Sequence, residues 1–203
     1  MRIIAGHYRS RSLDAPAGLA TRPTTDRLRE TLFNVLAPRI VGARFLDLYA
    51  GSGAVGLEAL SRAAAHVDFV ERAPAALTAL RKNLDRLALT AGFRIHAASV
   101  GAVLRTKKPG PAFDIVFLDP PYDAAEEYAG TLELLDRNHT ALLAPDALVI
   151  AEHRRKQELE DRHGQLLRTR LLKQGDAALS FYQASASADK TEDRHKRQAK
   201  PVG

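Results

Sequence analysis

Three carboxylates stand at positions where this chain could do chemistry on a small cationic or hydroxylated ligand. Asp47 lies inside the apolar run Phe45–Tyr49, just ahead of Gly51, Gly53 and Gly56, whose spacing is G-x-G-x-x-G. Glu71 ends the run Val67-Asp68-Phe69-Val70-Glu71, fifteen residues after Gly56. Asp119 opens Asp119-Pro120-Pro121-Tyr122, directly after Ile115-Val116-Phe117-Leu118. An apolar strand, a glycine turn and a helical pattern from Ala54 onward is the context of a nucleotide-cofactor loop, where a side chain would block close approach of the backbone. An acid at the tip of the next strand is placed to hold both hydroxyls of a ribose. Tyr49, Ser52 and Arg72 flank these groups and join them as candidate cofactor contacts.

Asp47 separates two cofactor classes. A carboxylate beside a pyrophosphate is repelled, whereas one beside the ammonium of a methionine moiety is attracted. S-adenosylmethionine therefore fits better than a nicotinamide dinucleotide, and the chain shows no pair of groups for hydride transfer.

These groups need a scaffold, and the hydrophobic pattern supplies one. Strands are expected at Phe45–Tyr49, Val67–Glu71, Arg94–Ala97, Asp114–Leu118 and Leu148–Glu152. Helices are expected from Leu28 to Ala37, Ala54 to Ala63, Pro74 to Leu89, Val100 to Leu104, Ala124 to Leu135 and Arg154 to Asp161. Thr24 or Thr25 would cap the first of these, and Pro74 suits a first helical turn. Leu166–Leu172 and Ala178–Tyr182 flank Lys173-Gln174-Gly175-Asp176 and read as a hairpin. Alternating strands and helices give an α/β, Rossmann-like, mostly parallel seven-stranded sheet that ends in an antiparallel hairpin. Residues 1–20 read as a basic arm or hairpin, 21–183 as the main domain, and 184–203 as a disordered basic tail.

Charge and composition narrow the partners. The chain has 203 residues, is 45% hydrophobic, contains no cysteine and carries a net charge of +6. That excludes disulfides and cysteine-held metals, and no run of eighteen apolar residues suggests a membrane span. The absence of cysteine and of a signal-like N-terminus fits a cytoplasmic protein. Residues 1–44 carry eight Arg against three acids, whereas residues 45–183 are close to neutral. An arm of that sign suits a polyanion. His7, Tyr8, Arg9 and Arg11 are its candidate RNA contacts, and Arg22, Thr25 and Arg27 extend the set into the first helix. His153 and His163 have no partner at metal-ligand spacing and read as surface residues.

The chain resembles the RsmD family of 16S ribosomal RNA guanine-N2 methyltransferases from Arg2 to about Gln183. The likeness rests on Arg2-Ile3-Ile4-Ala5-Gly6, Arg22-Pro23-Thr24-Thr25-Asp26-Arg27-Leu28-Arg29-Glu30, Leu46-Asp47-Leu48-Tyr49-Ala50-Gly51-Ser52-Gly53-Ala54-Val55-Gly56, Phe117-Leu118-Asp119-Pro120-Pro121-Tyr122 and Gly175-Asp176-Ala177-Ala178-Leu179-Ser180-Phe181-Tyr182. The resemblance implies a class I methyltransferase fold and methyl transfer from S-adenosylmethionine to N2 of a guanine in small-subunit RNA. A small-subunit particle is the expected form of that RNA, a monomer the expected working unit, and no metal is needed. Asp119, Pro120, Pro121 and Tyr122 are then the catalytic turn, with Asp119 also near the cofactor. The family usually has an acid after the third strand, near the adenine ring. Here the stretch is His96-Ala97-Ala98-Ser99-Val100, and Ser99 is the expected substitute. Two other activities use parts of this pattern. DNA adenine-N6 or cytosine-N4 methyltransferases share the proline turn but usually carry a target-recognition insertion that this chain lacks. A non-catalytic RNA-binding assembly factor would have no need of Asp47, Glu71 and Asp119 together.

Overall fold

The computed structural model describes residues 1–15, 26–106, 110–121 and 125–185. Along the chain run α1 (Asp26–Leu36), β1 (Arg44–Leu48), α2 (Ala54–Ser61), β2 (His66–Glu71), α3 (Pro74–Arg86), β3 (Phe93–Ala97) and α4 (Val100–Thr106). They are followed by β4 (Phe113–Leu118), α5 (Ala125–Arg137), α6 (His139–Leu142), β5 (Leu143–Arg154), β6 (Arg162–His163), β7 (Leu166–Gln174) and β8 (Ala177–Ala184). One sheet has the order β3-β2-β1-β4-β5-β8-β7-β6. The first five are mutually parallel, while β8, β7 and β6 join antiparallel.

The parallel strands are covered on both faces, as such sheets must be. Phe45, Phe69, Ile115, Phe117 and Ile150 pack under α1, α2 and α3 with Leu32, Phe33, Leu57 and Leu80. Leu46, Leu48, Val70, Val116 and Leu118 pack on the other face with Leu104, Tyr128, Leu132 and Leu135. The order reverses between β1 and β4, and open α/β sheets bind ligands beyond the C-terminal strand ends at such a point. Asp47, Glu71 and Asp119 stand at or just past the C-terminal ends of β1, β2 and β4.

The sheet has eight strands rather than seven, and the difference lies in one segment. The helix expected over Arg154–Asp161 does not form. β5 extends to Arg154, a turn follows, and β6 begins at Arg162. That segment has only Leu159 to bury, too little for a helical face. Its backbone is bonded to the hairpin instead, with Arg155 N donating to Asp176 O at 2.7 Å and Arg168 N to Asp161 O at 2.8 Å.

The histidines also differ from expectation. His153 and His163 are not surface residues: they are 2% and 8% exposed. His153 Nε2 lies 2.9 Å from Ser180 Oγ on the neighbouring strand, and burial lowers its proton affinity. Ser180 is 27 residues away in sequence, so spacing carried no sign of the pair.

The N-terminal residues fold against the main domain. Arg2 and Ser12 form an antiparallel bridge, and Ile3 and Leu13 enter the core. The turn at Pro16 and Gly18, the cap at Thr24 or Thr25 and the tail beyond 185 lie outside the described residues. Among the described residues, no helix is long and apolar enough to cross a membrane.

Candidate active site

β1 delivers Asp47 to the edge of the sheet within an otherwise buried strand. Its side chain is buried, and Oδ2 accepts the Gly56 amide at 2.9 Å across the glycine turn. Burial, opposed by that hydrogen bond and reinforced by the nearby Glu71 charge, pushes its carboxyl up to about 7. A positive ligand group beside it would draw it back toward the charged form.

The glycines serve different needs. Gly53 has φ 81°, and a Cβ there would overlap Leu80. Gly56 has ordinary helical backbone, but a Cβ would overlap Phe69 and Val67 of β2. Packing of α2 on the sheet therefore demands Gly56, while a left-handed backbone and the approach of α3 demand Gly53. Beside Gly51 nothing lies within 4 Å, so its position alone opens toward space a ligand could use.

Glu71 ends β2 and is woven into the same turn. Its Oε2 accepts the Gly51 amide at 2.8 Å, and Oε1 accepts the amides of Arg72 and Ala73 at 2.7 Å each. Oε1 spends both lone pairs on those amides, while Oε2 keeps a second lone pair for a hydroxyl. Arg72 is exposed beside it. Ser52 is buried, and its carbonyl accepts from Asn83 Nδ2 at 3.0 Å, which fixes the turn to α3. Ser99 does other work: its Oγ accepts the Ala102 amide at 3.3 Å and caps α4.

Asp119 follows β4. In the register, Leu48 pairs with Leu118 and Leu118 with Ala151. Tyr49, Asp119 and Glu152 thus come one step later on three adjacent strands. Burial first, and then the Glu152 and Asp47 charges, raise the Asp119 carboxyl well above the carboxylate range. Pro120 is buried and Pro121 exposed, while Tyr122 lies outside the described residues. Tyr49 has φ 62°, an uncommon backbone for a bulky residue. Its hydroxyl is 2.8 Å from Glu127 Oε2 and 2.7 Å from Thr131 Oγ1, both on α5. Burial is the main cause that raises its proton affinity.

The basic residues form a separate surface. His7, Arg9, Arg11 and Arg27 are exposed and Tyr8 half-buried, while Arg22 and Thr25 lie outside the described residues. Arg9 and Arg27 meet across a cavity of ≈ 330 Å³ that Arg2, Ser10, Asp26 and Glu30 also line. Beneath the arm is a set of buried groups that sequence reasoning missed. Glu58 of α2 accepts the amides of Ile4 at 2.7 Å and Ala5 at 3.0 Å, and Arg62 Nε at 2.7 Å. Fully buried Arg29 lies 3.9 Å from Glu58 and donates to the Arg2 carbonyl at 2.5 Å. Ser61 binds the arm at Ala5 O and Tyr8 N. The one available signal was an acid on the apolar side of α2, between Val55 and Ala59.

Residues 1–183 match the model of the family described as Conserved hypothetical protein 95. The Ribosomal RNA small subunit methyltransferase D of Escherichia coli (strain K12) is 46% identical over 154 residues, covering 75% of this chain and 74% of that protein. Its namesake from Haemophilus influenzae (strain ATCC 51907 / DSM 11121 / KW20 / Rd) is 41% identical over 156 residues, covering 75% of this chain and 78% of that protein. The solved structure of yhhF from Escherichia coli superposes with a TM-score of 0.79 at 39% identity, over 92% of this chain and 98% of that one. With the glycine turn, the two strand-end acids and the proline turn all at one edge of this fold, the chain belongs to the RsmD family, that of the small-subunit ribosomal RNA methyltransferases D.

Proposed function

We propose that this protein transfers a methyl group from S-adenosylmethionine to N2 of a guanine in small-subunit ribosomal RNA. The observation that carries the reading is the convergence of Asp47, Glu71 and Asp119 on one sheet edge, with the cofactor turn between the first two. Glu71 holds the ribose hydroxyls, and Asp47 faces the methionine ammonium. Gly51, Gly53 and Gly56 shape the turn; Ser52, Arg72 and Ser99 border it. The donor set fits the group: prefixed acceptors for hydroxyls, and buried carboxyls whose charged form a cation favours. When bound, S-adenosylmethionine supplies an electrophilic methyl carried by a sulfonium.

The residues of the proline turn act on the other reactant. The N2 lone pair of guanine is delocalised into the ring and must be localised before it can attack. Asp119 accepts a hydrogen bond from the amine, and the Pro120 carbonyl accepts a second. Two positioned acceptors turn the lone pair along the transfer axis. Asp119 takes the departing proton late, as a modest general base, and its raised proton affinity suits that role. Pro121 fixes the turn and removes an amide donor. Tyr122 stacks on the unstacked base. His7, Tyr8, Arg9, Arg11, Arg22, Thr25 and Arg27 hold the RNA backbone, supported by the basic cavity between the arm and α1.

The same reading takes the RNA within a small-subunit particle, in the cytoplasm, with a basic arm (1–20), a methyltransferase domain (21–183) and a tail (184–203) in a working monomer. The test is mass mapping of small-subunit RNA from a deletion strain and from the same strain complemented with this gene. One guanine should lose its N2 methyl on deletion and regain it on complementation. An unchanged methylation map would overturn the reading.

A further inference from the structure

Helix α5 touches both flanks of Asp119. On one flank, the Tyr49 hydroxyl bonds Glu127 and Thr131, one turn apart on α5. On the other, Tyr128 of the same helix donates from its hydroxyl to the Glu152 carbonyl at 2.8 Å. The register ends with Leu48, Leu118 and Ala151 paired across β1, β4 and β5, and Tyr49, Asp119 and Glu152 follow one residue later. Strand alternation alone would point residue 49 to the Asp47 side. With its left-handed backbone, Tyr49 instead packs against the core cluster of the α5 side, to which Leu48, Leu118, Tyr128 and Leu132 belong. A bulky residue in that conformation is strained, and it persists where the surroundings over-determine it. Thr131 is 3% exposed and Tyr128 1%, so the contacts are made inside the protein.

We propose that Tyr49 is a positioning residue rather than a cofactor ligand, and that with Glu127, Tyr128 and Thr131 it makes α5 a brace setting Asp119 against the methyl donor. This rests on the methyl-transfer reading above. A brace of this kind acts on the rate of transfer and leaves cofactor affinity nearly untouched, because misplacement of about 1 Å at a reacting centre costs on the order of 100-fold.

Tyr49→Phe keeps the ring and removes both hydroxyl contacts. We expect its single-turnover methyl transfer to fall roughly 10- to 100-fold, with the dissociation constant for S-adenosylmethionine changed less than about twofold. Thr131→Val should reproduce part of this loss and Thr131→Ser should restore it. Tyr49→Phe combined with Thr131→Val should be little worse than Tyr49→Phe alone, as for groups acting through one contact. Amide hydrogen exchange in the first two turns of α5 of the cofactor-loaded protein should speed up in Tyr49→Phe. An unchanged rate, a rate loss matched by weaker cofactor binding, or additive effects of the two substitutions would each overturn the proposal. If the unmutated protein transfers no methyl, the functional reading fails, and unchanged exchange in Tyr49→Phe would then independently sink the brace.

Discussion

The cofactor edge and the N-terminal arm both rest on buried carboxylates, but they are wired differently. At the cofactor edge, Asp47 and Glu71 take backbone amides from positions nine and twenty residues away, or nearer. Under the arm, Glu58 takes amides from residues 54 and 53 positions distant, and its charge faces Arg29 and Arg62. The first arrangement shapes a turn and leaves acceptor capacity facing a ligand. The second spends its acceptors on holding one part of the chain to another. The difference predicts that acids of the first region govern binding, and Glu58 governs stability.

The largest effect should come from Glu58. Glu58→Ala removes the buried one of the two carboxylates facing Arg29, leaving Asp26 at 2.8 Å, and frees two arm amides. Breaking a buried ion pair from one side typically costs about 3–5 kcal/mol. Urea unfolding should register that loss; a change below about 1 kcal/mol would mean the arm is not anchored there.

Glu71→Ala tests the other side of the comparison. Cofactor affinity should fall by about 1.5–3 kcal/mol, the scale of a charge-assisted hydrogen bond. Glu71→Gln, which keeps one acceptor oxygen, should lose less. Calorimetry finding unchanged affinity in folded Glu71→Ala would remove Glu71 from the ribose role.

Asp47 should make the same region pH-dependent. Its folded carboxyl at about 7 lies above the unfolded range near 3.9. The cofactor-free protein then binds more protons than its unfolded chain, so this group's stabilisation declines as pH rises from about 4 to 7. A cationic ligand prefers the deprotonated form, so affinity should rise with pH up to about 7 and then level off. Asp47→Asn should flatten that rise. A wild-type affinity independent of pH across this window contradicts the assignment.

The smallest effect belongs to the arm's outer surface. Replacing Arg9 and Arg27 by Ala should weaken RNA binding and lower its salt slope by about one for each phosphate no longer neutralised. Cofactor affinity should not move, because neither side chain lines the glycine turn. An unaltered salt slope would show that this cavity does not track phosphates.

The same contrast explains what the sequence reveals. Asp47, the glycines, Glu71 and Asp119 were legible because their geometry is set by strand ends and short turns, which local spacing encodes. The parallel strands were legible because burial on both faces leaves unbroken apolar runs such as Ile115–Leu118. Glu58, Arg29 and the Tyr49 tether were not, since each depends on partners 27 to 82 residues away. Residues 154–161 misled because their charge pattern suits an exposed helix, while pairing with the hairpin decided the outcome. The glycine reading was right in spacing and incomplete in cause: Gly53 and Gly56 yield room to Leu80, Phe69 and Val67.

The role proposed for Asp119 is to act on the target amine, with the cofactor turn only holding the donor. Its most direct test is single-turnover transfer of labelled methyl to small-subunit RNA or particles by Asp119→Ala, with RNA and cofactor affinities measured separately. Losing one positioned acceptor at a transition state is worth about 2–4 kcal/mol, or roughly 30- to 1,000-fold in rate. Asp119→Asn, which still accepts a hydrogen bond but takes no proton, should lose less. The account predicts that rate loss with both affinities largely kept. A folded Asp119→Ala protein transferring methyl at the unmutated rate would contradict it.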